Sequence, residues 1–111
     1  MDCLFCKIIA GEIPSTKVYE DETIYAFRDI NPQAPTHILI VPKKHIACAA
    51  ERTEADGATV GHIFAVAAEL ARREGLSSFR VVTNSGSDAG QPVGNLHFHL
   101  LGGRVMTVEL A

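Results

Sequence analysis

The chain carries no excess of basic residues, few cysteines and no long apolar run, and each shortage excludes a class of function. Ten Lys and Arg against 13 Asp and Glu leave a formal net charge of -3, which supplies no overall field to hold a nucleic-acid backbone. No segment approaches the length needed to span a bilayer, and the start Met1-Asp2-Cys3-Leu4-Phe5-Cys6-Lys7 has no basic stretch ahead of a long apolar one. A cytoplasmic protein that engages neither nucleic acid nor membrane is expected. Three cysteines is an odd count, and without an export signal reduced thiols or a metal site are better expectations than a disulfide framework. Nothing repeats and no low-complexity linker divides the 111 residues, so one domain over 1–111 is expected, small enough for self-association to help it.

What is present reads as one long helix among short strands. Val60, Ile63, Phe64, Ala67, Leu70 and Ala71 recur at helical spacing, between a capping-box-like Thr53-Glu54-Ala55-Asp56 and an Arg72-Arg73 pair ahead of Gly75. His62 falls off that stripe, on the polar side, and Gly57, Gly61 and Ala65 form a second row of small residues. Strands are expected at Lys17 to Glu20, Thr23 to Arg28, Thr36 to Val41, Phe79 to Thr83 and Val93 to Leu101. The run Thr36-His37-Ile38-Leu39-Ile40-Val41 is apolar on nearly both faces, which suits a central strand covered on both sides. His37 is its exception, and a buried histidine satisfied by the backbone would explain it as well as a functional one. The predicted class is α+β: a five-stranded antiparallel sheet with one long helix and one short helix near the N-terminus.

The chemistry concentrates in Asn95-Leu96-His97-Phe98-His99-Leu100-Leu101-Gly102-Gly103-Arg104. In an extended strand Asn95, His97 and His99 share one face while Leu96, Phe98 and Leu100 share the other, so one face packs and the other presents imidazoles. Imidazole titrates near neutrality and is nucleophilic toward phosphorus when neutral. Upstream, Asn84 to Gly94 is rich in glycine and serine; such a run is either a hairpin connection or a loop that turns several N–H groups toward an anion. Asp29 closes a strand ahead of Asn31-Pro32-Gln33-Ala34-Pro35, where it either initiates the turn or offers a carboxylate to a ligand. Cys3 and Cys6 have metal-ligand spacing, with paired thiols in a short helix as the alternative.

Taken in order, Cys3-Leu4-Phe5-Cys6-Lys7-Ile8-Ile9 with Glu12-Ile13-Pro14, Arg28 to His37, Val41-Pro42-Lys43-Lys44-His45-Ile46, Asn84 to Gln91 and the paired histidines resemble the successive blocks of the histidine triad (HIT) family, in its Hint branch of purine nucleoside phosphoramidases. The resemblance covers nearly the whole chain. It implies a HIT-like fold, a homodimer whose two sheets run together, and a hydrolase that cleaves nucleoside 5'-phosphoramidates, such as adenylated amines, through a nucleotidyl-histidine intermediate. It assigns the nucleophile to His97 and a phosphate contact to His99. It places Asp29 on the ribose hydroxyls with Ile30 near the sugar or base, His37 in the site, and Asn84, Gly90, Gln91 and position 92 on the phosphate or ribose side. Catalysis requires no cofactor, but some members hold a structural zinc through residues matching Cys3, Cys6 and His45 and the first triad histidine.

Three departures stand out against that pattern. Asn95 occupies the position of the first triad histidine, keeping its backbone carbonyl but losing its proton. Pro92 stands where a serine often donates to the phosphate, and a proline there removes both the hydroxyl and the N–H. The segment after Arg104 lacks the tryptophan common in the branch, since the chain has none. Two other readings follow: a dinucleoside polyphosphate hydrolase using the same nucleophile, or a weakly active or nonenzymatic nucleotide-binding protein.

Overall fold

In a computed structural model describing residues 3–91 and 94–107, one sheet has order β1-β2-β3-β5-β4, every pairing antiparallel. Its strands are β1 (Lys17–Glu20), β2 (Ile24–Arg28), β3 (Thr36–Pro42), β4 (Phe79–Val82) and β5 (Phe98–Gly102), with helices α1 (Leu4–Ile9) and α2 (Gly57–Arg73). The α+β class and the two helices match the sequence expectation. β3 is buried along its whole length, as its apolar residues demand.

Period-two alternation divides the sheet into two unlike faces. Ile24, Ala26, Ile38, Ile40, Phe98 and Leu100 turn to α2, where they pack with Ile63, Val66, Ala67, Leu70 and Ala71 in the main core. Leu96 joins that core. On the opposite face Tyr25, Phe27, Leu39 and Val41 are covered by Phe5 and Ile8 of α1. A six-residue helix is too short to cover the whole face, so the β5–β4 half lies beyond it.

The ends of α2 follow their sequence signals. Asp56 accepts the backbone N–H of Thr53 at 2.9 Å in a 3₁₀ turn leading into the helix. At the other end Gly75 has φ +73°, and Leu76 N–H donates to Ala71 O while Gly75 N–H donates to Arg72 O, closing a Schellman motif. One residue of the expected stripe is misplaced: Phe64 is half exposed and meets Phe98 edge-on, whereas Val66 is buried in its stead. At 100° per residue position 66 lies about 60° from 63 on the side of 70, whereas 64 lies about 100° away on the other side, beyond 71 and farther from the centre of the buried arc.

The larger difference is the last strand, expected from Val93 but beginning at Phe98. The ladder to β3 ends at Ile40 opposite Phe98, and β3 itself finishes in Pro42, which has no N–H to offer. The preceding residues pair elsewhere: Leu96 N–H donates to Ile46 O, and Ile46 N–H donates to the Asn95 side chain. Val93 itself lies outside the described residues.

Gly102 ends β5 against Leu76, where an added Cβ would lie 2.5 Å from Leu76 Cδ1. Gly102→Ala should therefore lower stability by about 1–3 kcal/mol through overpacking. In a Leu76→Ala background the same change should cost less, as coupled neighbours require. Urea melts of the four proteins test this, and equal costs in both backgrounds would place the strain elsewhere.

Candidate active site

The stretch that leaves the ladder brings an imidazole under its own backbone. Asn95 O lies 2.8 Å from His97 Nδ1, and a carbonyl only accepts, so in the neutral ring Nδ1 carries the proton and Nε2 the lone pair. Thr83 Oγ1 donates to His97 O at 2.7 Å, and the Phe5 ring meets the imidazole edge-on at 4.9 Å. His97 is 2% exposed, so its orientation is set on every side.

A second chain of bonds orders the other two histidines. Gln33 N–H donates to His37 Nδ1 at 3.0 Å, which requires the neutral His37 proton to sit on Nε2. That nitrogen is 2.9 Å from His99 Nδ1 and 3.4 Å from Asp29 Oδ2. With Nδ1 accepting from His37, His99 carries its own proton on Nε2. Burial pushes His99 down to about 4, with the neighbouring His97 and His37 adding to the effect. Burial also lowers His37, against the pull of the Asp29 carboxylate. Both rings are thus held neutral at pH 7. The ligand atoms of Asp29, His37 and His99 lie within 4.8 Å of one another, yet a cation would need the lone pair that Gln33 forces onto the other nitrogen of His37. The cluster is a hydrogen-bond chain.

Asp29 serves its turn as well, since its Oδ1 accepts Asn31 N–H at 2.8 Å while Oδ2 faces His37. Ile30 beside it is 90% exposed. In the glycine-rich loop Gly86 and Gly90 adopt φ of +90° and +89° around a 3₁₀ turn, Ser87–Ala89. Gln91 braces this loop: its Oε1 accepts Gly86 N–H, and its Nε2 donates to Ala47 O at 2.7 Å and Asn95 O at 3.5 Å. Asn84 lines a cavity of about 340 Å³ together with His37 and His99. Pro92, expected beside the phosphate, lies outside the described residues.

Cys3, Cys6 and His45 come together as the spacing suggested, their ligand atoms within 4.8 Å of one another and Cys6 Sγ 3.3 Å from His45 Nδ1. Asn95 is not a fourth donor. Its Oδ1 accepts Ile46 N–H, while its fully buried Nδ2 has no hydrogen-bond partner and, as an amide N–H group, offers a metal no lone pair. A closed four-ligand zinc site does not fit these residues.

Sequence reading missed the Gln33 backbone donor, the Thr83 hydroxyl and the two arginines of the cavity wall, Arg80 and Arg104. None belongs to a periodic pattern; only the register of β4 against β5, Arg80 opposite Leu101 and Val82 opposite His99, would have pointed to Arg80.

The HIT domain family model matches residues 10–106. The purine nucleoside phosphoramidase of Escherichia coli is 43% identical over 112 residues, covering 99% of this chain and 94% of that protein. A maize protein described as a 14 kDa zinc-binding protein is 52% identical over 106 residues, 93% of this chain and 83% of its own. The crystal structure of a HIT family hydrolase from Legionella pneumophila superposes with a TM-score of 0.96 at 53% identity, covering 99% of this chain and all of that one. With the family match spanning most of its length and the fold shared throughout, this chain belongs to the HIT family.

Proposed function

We propose that the protein hydrolyses nucleoside 5'-phosphoramidates, purine nucleotides joined to an amine, through a nucleotidyl intermediate on His97. The bond from His97 Nδ1–H to Asn95 O carries this reading, because in the neutral ring it leaves the lone pair of a nucleophile on Nε2. The similarity to a named phosphoramidase supports the substrate class. In the first step the Nε2 lone pair forms a bond to the α-phosphorus, the P–N bond breaks, and the departing amine takes up a solvent proton. The charge left on the imidazole ring is stabilised through Nδ1–H at the Asn95 carbonyl. Water then attacks phosphorus and gives up a proton to solvent, the N–P bond returns its electrons to Nε2, and the nucleotide leaves. His99, with its proton on Nε2, donates to a phosphoryl oxygen throughout. Asp29 accepts a ribose hydroxyl at Oδ2, Ile30 offers the sugar an apolar surface, and the backbone of Asn84 and Gly90 faces the phosphate.

Metal at Cys3, Cys6 and His45 takes no part in the reaction.

His97→Ala should abolish phosphoramidate turnover while leaving nucleotide binding within a few-fold, since the remaining contacts belong to other residues. A fluorogenic turnover assay beside an equilibrium titration decides it. Turnover comparable to the wild type would remove His97 from the nucleophile's place.

Asn95→His preserves the backbone acceptor and returns a titratable ring to the site, so turnover should rise with substrate affinity little changed. The same substitution supplies a fourth ligand beside Cys3, Cys6 and His45, so zinc content measured by elemental analysis should rise toward one ion per chain. Assays with and without chelator separate the two gains. A variant no faster in either condition would show that the amide is not what limits the rate.

A further inference from the structure

Both arginines that sequence reading missed line the same cavity as His37, His99 and Asn84. Among the described residues no carboxylate lines this cavity, although the chain as a whole is acidic. Arg28, Arg72 and Arg73 each meet a carboxylate, but among the described residues Arg80 and Arg104 pair only with carbonyl oxygens. Arg80 Nη2 donates to Thr107 O; Arg104 donates from Nε and Nη2 to Gln33 O at 3.1 and 3.0 Å and from Nη1 to Val105 O at 3.2 Å. These bonds aim the guanidinium groups without cancelling their charge. A further hollow of about 300 Å³ shares both arginines and extends past Phe79 and Val105, so the opening continues outward from the histidines.

The sheet order gives this cationic wall a direction. Asp29 follows β2 and Arg80 lies on β4, so in the order β1-β2-β3-β5-β4 the two stand on opposite sides of the His37–His99 pair. A nucleotide whose ribose meets Asp29 therefore directs the group on the far side of its phosphorus toward Arg80. Resting on the phosphoramidate reading above, we infer that Arg80 and Arg104 form a leaving-group subsite selecting amines that bear a carboxylate, which makes N-linked nucleotidyl amino acids the preferred substrates. A guanidinium presents paired N–H donors to a carboxylate, a match that a neutral amide or ester lacks. The selectivity is expected to weaken with added salt, since Arg104 is exposed.

The test compares adenosine 5'-phosphoramidates of glycine and of glycinamide, which differ only in the terminal anion, by calorimetric titration of the His97→Ala protein. That protein should bind the glycine conjugate about tenfold more tightly, a preference of the order of one charge-assisted hydrogen bond. Adding Arg80→Gln, or Arg104→Gln, should bring the ratio toward one. A ratio near one with both arginines present overturns the subsite, and so does a preference that survives each substitution. Titration with ADP and AMP forms a further arm: an arginine-dependent gain for ADP without one for the glycine conjugate would assign the wall to phosphate and overturn the carboxylate assignment. Turnover by the wild-type protein is read separately. If neither conjugate is hydrolysed while the binding ratio persists, the reaction assignment falls and the subsite stands.

Discussion

The backbone carbonyl of Asn95 is the acceptor on which the site depends. It receives His97 Nδ1–H and, more weakly, the amide of Gln91, so one peptide group sets the tautomer of His97 and ties down the glycine-rich loop. A carbonyl can take this position because the chain here is not in the β-ladder. Pairing of residues 95 and 96 with Ile46 draws the backbone away from β3, and the imidazole two residues on closes back onto the freed oxygen. A regular strand from Val93 would send that oxygen to a neighbouring strand or to solvent.

The bond to His97 is made by the main chain of residue 95, so it does not depend on the side chain there. The Asn95 amide spends its oxygen on Ile46 and leaves a buried N–H group unpartnered. An unsatisfied buried donor costs about 1–3 kcal/mol.

The unequal cover of the sheet explains where the cavity lies. α2 buries one face from end to end, which makes the strands a rigid platform. α1 is one and a half turns long and packs over β2 and β3, with Phe5 reaching His97. The face beyond it, over β5 and β4, holds the cavity, and the alternation that points His99 into it also points Arg80 there. Helix length and strand parity together fix the site's boundaries.

Much of this was legible from residue pattern. The helical stripe with its Gly75 stop, the apolar run of β3, the turn residues between strands and the histidine alternation follow from local periodicity and backbone preference, and the structure returns them with small shifts. The proximity of Cys3, Cys6 and His45, and of Asp29 with His37 and His99, was reachable only through the resemblance, because the cooperating residues lie far apart in the chain. Tertiary structure alone decided the tautomers, since these depend on Gln33 N–H and Asn95 O, main-chain groups that every residue type carries and no side-chain pattern reveals. It alone decided that β5 begins at Phe98, because a strand ends where its partner stops pairing, and that Arg80 and Arg104 share a wall with the histidines, because register across β4 and β5 joins residues that the sequence keeps apart.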